Sequence, residues 1–196
     1  MNYPLQITFK IQAFGQQLSL TEATGNLVFY VKQKAFKMKE NVTVFADEAM
    51  TRPWFTITAD RVIDFRANYT FMDLNGRPFG SMRRLGAKSI WRASYEIFDG
   101  YQPHPVATIK EENPWTKVFD ATLGEIPILG IFTGYLFHPS YMVSRSDGMP
   151  YLRLKKQPSF IGRRFTIDQL GGMDQTEELR LLLAVMMMVL LERARG

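Results

Sequence analysis

The 196-residue chain has no cysteine and two histidines. The first absence removes disulfides, thiolate metal sites, thiol nucleophiles and palmitoylation together. Taken with the second, it leaves too few ligands for a His/Cys metal centre. His104 stands between Pro103 and Pro105, and His138 precedes Pro139. Both contexts belong to loops rather than to a His-Glu-x-x-His helix. A Gly-x-Ser-x-Gly elbow, a P-loop and a dinucleotide fingerprint are also missing. The opening residues, Met1-Asn-Tyr-Pro-Leu-Gln, show no charged leader ahead of an apolar stretch. These absences set the first expectation: a cytoplasmic protein with no cofactor, no metal and no transmembrane span.

Hydrophobic residues make up 46% of the chain and charged residues 22%, so it has the material for a packed core and is not a disordered polyelectrolyte. Its length suits one domain spanning residues 1–196. Phe 15 and Tyr 8 tilt the composition toward β structure, where large rings pack on a pleated surface. Alternation of apolar and polar residues agrees. Leu5-Gln-Ile-Thr-Phe-Lys-Ile alternates throughout, and Asn41-Val-Thr-Val-Phe-Ala-Asp and Trp54-Phe-Thr-Ile-Thr-Ala-Asp are β-rich runs that end at an Asp. From Ile90 to Phe98, the residues Trp91, Ala93, Tyr95 and Ile97 share one face, and Arg92, Ser94 and Glu96 the other. A period of two predicts a strand with one wet face.

Between these runs stand Thr24-Gly-Asn, Asp73-Leu-Asn-Gly, Asp99-Gly and Asp147-Gly. Asn, Asp and Gly tolerate the positive φ of tight hairpins, and turns spaced roughly every 8 to 12 residues mark an antiparallel sandwich or barrel. The stretches beginning at Phe71 and Phe98 read as copies: an aromatic, an Asp, a Gly turn, then a strand of small residues.

The C-terminus breaks this pattern. Asp174, with Glu177 three residues on, forms a capping box. Leu181 to Leu191 then runs apolar without interruption, which predicts a helix over about 175–194. A helix apolar on every side is buried on every side. Its uninterrupted apolar part reaches roughly 16 Å, against about 30 Å for a bilayer core, so it belongs inside a protein. Its methionines suit an irregular packed environment, because the thioether chain bends to fit.

Many short antiparallel strands followed by one apolar terminal helix resemble the Tubby C-terminal-like superfamily, which joins Tubby, the phospholipid scramblases and the LURP-one-related proteins. Asn26-Leu-Val-Phe-Tyr-Val-Lys-Gln-Lys is similar to the family's opening strands. Asp73-Leu-Asn-Gly, Ser81-Met-Arg-Arg and Trp91-Arg-Ala-Ser-Tyr-Glu-Ile-Phe-Asp resemble its central hairpins. Phe165-Thr-Ile-Asp and the Leu181–Leu191 helix resemble its closing elements. Size places the chain nearest the LURP-one-related branch. The Pro-rich leader and cysteine run of the scramblases are missing, which argues against scramblase activity. The resemblance implies a mainly β fold: a closed antiparallel barrel of about twelve strands around a central hydrophobic C-terminal helix. Tubby implies phosphoinositide headgroup binding at a central hairpin, which here carries Arg83, Arg84, Lys88 and Arg92.

The formal net charge of +5 favours anionic partners. Two further basic clusters, Lys32/Lys34/Lys37/Lys39 and Arg153/Lys155/Lys156/Arg163/Arg164, point to a generally basic surface, with lysines at a strand edge guarding against aggregation. Adjacent Arg83 and Arg84 reach one ligand only where their strand ends, since neighbours in a strand face opposite ways. Nucleic acid is disfavoured: Tyr151, Phe160 and Phe165 near the last cluster have the spacing of core residues rather than of a stacking platform. Gly124, Gly130 and Gly134 suit strand bends. Asp168, Asp174, Glu177 and Glu178 do not have EF-hand spacing, and capping accounts for two of them. The leading expectation is a non-catalytic module that docks on anionic phospholipid headgroups. The alternatives are a protein-interaction scaffold and a hydrolase built on the turn carboxylates Asp73, Asp99 and Asp147.

Overall fold

The structure, a computed structural model, describes residues 1–12, 15–33, 41–61, 67–85, 94–100, 102–112, 140–158 and 163–193. The first six strands are β1 (Leu5–Gln12), β2 (Gly15–Thr21), β3 (Leu27–Gln33), β4 (Val42–Phe45), β5 (Pro53–Ala59) and β6 (Asn68–Met72). The next six are β7 (Pro78–Arg84), β8 (Ser94–Asp99), β9 (Pro105–Glu111), β10 (Ser140–Arg145), β11 (Pro150–Gln157) and β12 (Arg163–Gln169). One helix follows, α1 (Gln175–Arg193). Each strand pairs antiparallel with its neighbour in sequence, and β12 returns to pair with β1, with Leu5 opposite Ile167. The sheet is a closed barrel, as the sequence predicts. Closure removes every edge, so Lys32 on β3 does not guard one, contrary to the sequence expectation.

Alternation decides which side chains point in. Leu5, Ile7 and Phe9 of β1 and Leu18 and Leu20 of β2 are buried, while Gln6, Thr8 and Lys10 face out. On β8, Tyr95 and Ile97 are both fully buried, and Ser94 and Glu96 lie on the outer side. Residues 90–93 of that predicted strand lie outside the described residues. On these strands the outward side chains are polar and the inward ones apolar, the reverse of a transmembrane barrel with an apolar outer band.

The interior is filled by α1. Every residue from Leu181 to Leu191 is at most 9% exposed. Asp174 caps the helix as expected: its carboxylate accepts from the Thr176 and Glu177 amides at 2.8 and 2.9 Å, and Glu177 accepts from the Asp174 amide at 3.3 Å. Among the described residues, no helix is long and apolar enough to cross a membrane.

The hairpins repeat more often than the sequence suggests. β5, β7, β9 and β11 each begin with proline: Pro53, Pro78, Pro105 and Pro150. At each of these prolines the register shifts against the preceding strand. Proline has no amide hydrogen to give the ladder, so it fits where a bulge already interrupts pairing. Phe71 and Phe98 head two of these four hairpins, which is why the two stretches read as copies.

Candidate functional site: the two ends of the barrel

Strand direction divides the molecule along its axis. At one end, hereafter the turn end, short connections close β2–β3, β4–β5, β6–β7, β8–β9 and β10–β11, and α1 enters. The opposite end, hereafter the far end, carries the C-terminus of α1.

Carboxylates hold the turn end together. Asp73 accepts from the amides of Asn75 and Arg77, both at 2.8 Å, and these bonds hold its carboxyl below the usual range. Asp47 accepts from the Thr51 hydroxyl at 2.7 Å and from the Thr51 and Arg52 amides at 3.1 and 2.8 Å, with the same consequence. Asp147 accepts from the Met149 amide at 3.0 Å. Gly25, Gly76 and Gly148 take positive φ in these turns, as predicted. Gly100 does not; its need is space. A Cβ there would lie 2.2 Å from the Pro78 carbonyl oxygen, so glycine is required for close approach of two backbones. Asp99 accepts from the Gly100 amide at 2.7 Å and from the buried Arg180 guanidinium at 2.8 Å. Arg180 also donates to the Phe79 carbonyl at 3.1 Å and lies 5.5 Å from the Phe79 ring centroid. The turn carboxylates that a hydrolase would use are thus each engaged in structure.

The far end carries cations. Lys10, Lys32, Arg83, Lys110, Lys155 and Arg164 are all exposed, and each lies in the half of its strand nearer this end. Arg83 faces out from β7. Its Nε donates to Glu96 at 2.7 Å, and its guanidinium lies 4.7 Å from the Phe98 ring centroid. Arg84 takes the opposite face, as alternation requires. Its guanidinium lies 5.9 Å from the Tyr95 ring centroid. The Tyr95 hydroxyl donates to Glu192 near the end of α1. Burial, then that bond and the Glu192 charge, raise the Tyr95 pKa; Arg84 works against the rise. Tyr141 is raised by burial and by Glu111, with Arg84 again opposing.

Of the four predicted headgroup residues, Arg83 and Arg84 therefore share a strand end but diverge, and Lys88 and Arg92 lie outside the described residues. So do Lys34, Lys37, Lys39, His138, Phe160 and the glycines at 124, 130 and 134. Tyr151 and Phe165 are core, as expected. Sequence reasoning passed over Lys110, which register places opposite Ser94 on one side and Met142 on the other, with Arg153 beyond Met142. Its period-two place after Thr108 was the available signal. Arg180 was also passed over; an arginine flanked by Leu179 and Leu181 marks a buried charge needing partners. The carboxylates read as unsuited to a cation site part company: Asp168 pairs outward with Lys155 at 2.9 Å, whereas Glu177 accepts from the Tyr151 hydroxyl at 2.8 Å. Among the described residues, no three His, Asp or Glu side chains gather as a metal site.

A family model described as LURP-one-related matches residues 27–176, from β3 into the first turn of α1. No curated protein matches the sequence. Among solved structures, the X-ray structure of a protein from Arabidopsis thaliana is similar with a TM-score of 0.50 and 13% identity, covering 99% of this chain and 93% of that one. At that identity the likeness speaks for the fold.

Proposed function

The chain belongs to the LURP-one-related family, and on that premise we propose that it is a non-catalytic binding module that docks on anionic phospholipid headgroups, phosphoinositides foremost. The observation that carries this reading is the gathering of exposed cations on strand ends at one end of the barrel. Several cations converging on one face attract clustered phosphates, and arginine forks hold them in two-pronged contact. Arg83, diagonal to Lys110 across β8, is the first residue assigned to the headgroup. Arg84 supports the same strand end from inside, and the sequence adds Lys88 and Arg92. The protein would then be peripheral, at the cytoplasmic face of a membrane.

Sedimentation with vesicles tests this. The full chain is expected to pellet with phosphatidylcholine vesicles containing a phosphoinositide and to stay in solution with phosphatidylcholine alone. Binding should weaken as salt rises, because exposed charges are screened. Free inositol phosphate should compete, which separates headgroup recognition from attraction to a charged bilayer. Equal partition to both vesicles would remove the proposal.

A further inference from the structure

Exposed apolar side chains are not spread evenly over the described residues. Met1, Met50, Leu74, Met149 and Leu170 lie at the turn end, and Leu85 alone of the large exposed hydrophobics lies at the far end. Leu74 and Met149 are the most exposed of them, at 63% and 64%. Each sits on a braced turn: Gly76 donates its amide to the Asp73 carbonyl at 3.1 Å, and Gly148 to the Arg145 carbonyl at 2.9 Å. Met50 adopts a positive φ of 58°, a conformation that favours glycine or asparagine. An apolar side chain is thus held at a turn tip against both solvation and backbone preference. Such outliers concentrate at functional sites.

Charge narrows what covers this rim. Glu22, Asp47, Glu48, Asp73, Asp147 and Asp174 stand there against Arg52, Arg77 and Arg145. An anionic bilayer is repelled by that balance, and two rims facing each other bring acid against acid. The barrel has twelve strands and is about 24 Å across, so its end encloses roughly 450 Å², about half of the ~800 Å² per partner of a standard interface and enough for a docked segment. We propose that the turn end is a docking surface for a protein partner presenting a cationic segment with apolar side chains. The braced turns leave little ordering to be done on binding. This does not rest on the lipid reading, whose cations lie at the opposite end.

The test uses the full chain with methyl-labelled methionine, observed by NMR. The probes are a short synthetic peptide of alternating Leu and Lys, its Leu/Glu counterpart and a Ser/Lys peptide of equal length. The Leu/Lys peptide is expected to shift the methyl signals of Met1, Met50 and Met149 and leave those of buried Met82 and Met186 in place. The other two peptides are expected to shift none of them. Leu74→Ser combined with Met149→Ser should weaken Leu/Lys binding on the order of tenfold, with unmoved Met82 and Met186 signals certifying the fold. The proposal is overturned if the rim signals ignore the Leu/Lys peptide or follow the Leu/Glu peptide equally. It is equally overturned if those signals respond to phosphatidylserine vesicles, or shift with protein concentration alone, which would put a second copy on the rim.

Discussion

The two ends of the barrel solve the same structural problem with opposite chemistry. Each must seat one terminus of an apolar helix where the sheet opens to water. At the turn end the helix is fixed by ion pairing and capping: Asp174 caps it, Arg180 reaches Asp99 and the Phe79 carbonyl, and Glu177 accepts from Tyr151. At the far end a tyrosine and a carboxylate do the work, with the Tyr95 hydroxyl donating to Glu192 and Arg84 lying over the Tyr95 ring. The turn end spends its carboxylates on its own backbone, and the far end leaves its cations on the outer surface. Carboxylates are thus tied into structure at one end, and cations stand exposed at the other.

The comparison breaks first at Arg180. Arg180→Ala removes a buried cation from Asp99 and the Phe79 carbonyl and leaves a cavity beside Gly80. A loss of about 2–4 kcal/mol is expected, below the full value of a buried pair because Asp99 remains 38% exposed. Urea unfolding measures it, and a loss comparable to a surface arginine would show that the helix is not anchored there. Gly100→Ala comes next. Its methyl would press into the Pro78 carbonyl oxygen, and backbone displacement is expected to cost about 1–3 kcal/mol. Gly76→Ala is the informative partner, since a Cβ there meets nothing and the cost is that of its left-handed φ alone.

The alkaline limb tests both ends together. Tyr3 and Tyr151 at the turn end, and Tyr95 and Tyr141 at the far end, all have raised hydroxyl pKa values, first through burial and then through nearby carboxylates. Tyr151 is pushed up to about 12. A raised pKa means that the folded chain keeps protons which the unfolded chain has lost. This stability is therefore fully present below the unfolded value of 10.0 and is lost as pH climbs through the folded values. Melting temperature is expected to be insensitive to tyrosine between about pH 8 and 9 and to fall above about pH 10, with tyrosinate absorbance rising on unfolding. Tyr95→Phe should cost about 1 kcal/mol at neutral pH and flatten the alkaline fall. An unchanged alkaline slope would show that burial and Glu192 do not raise the Tyr95 hydroxyl in solution.

Much of this was legible from residue order, and the reasons are local. Period-two alternation in Leu5–Phe9 marks which side chains face the helix, because a strand permits two faces and water chooses between them. The Asp174–Glu177 spacing announced the cap. The barrel end on which a cation falls is set by strand direction, and strand direction follows once the hairpins are placed. Lys110 nevertheless stayed hidden, because a lone lysine carries no cluster signal. The Arg180–Asp99 contact joins residues 81 positions apart, and nothing in a linear pattern pairs them. Gly100 was assigned to a turn for its φ, while its need arises from a neighbouring backbone that only the folded register brings close.

The smallest stability effect carries the most about function. Arg83 and Glu96 pair on the outer face with side chains 51% and 16% exposed. Exposed pairs contribute about 0–1 kcal/mol, so Arg83→Ala should barely move the urea midpoint. Its effect on vesicles is expected to be larger in proportion. A cation near an anionic surface contributes about 1 kcal/mol, roughly fivefold in partition, and Arg83→Ala should lose about that. Glu96→Gln separates charge from structure. It removes the carboxylate that neutralises Arg83 and keeps a side chain of the same shape, so binding to phosphoinositide vesicles should rise while stability stays near wild type. The equivalent change at the turn end, Asp147→Asn beside Arg145, is expected to leave vesicle binding unchanged, because that arginine lies at the opposite end from the cations proposed to meet the vesicle. If Asp147→Asn strengthened binding as much as Glu96→Gln, attraction would follow net charge alone, and the far end would have no special part in it.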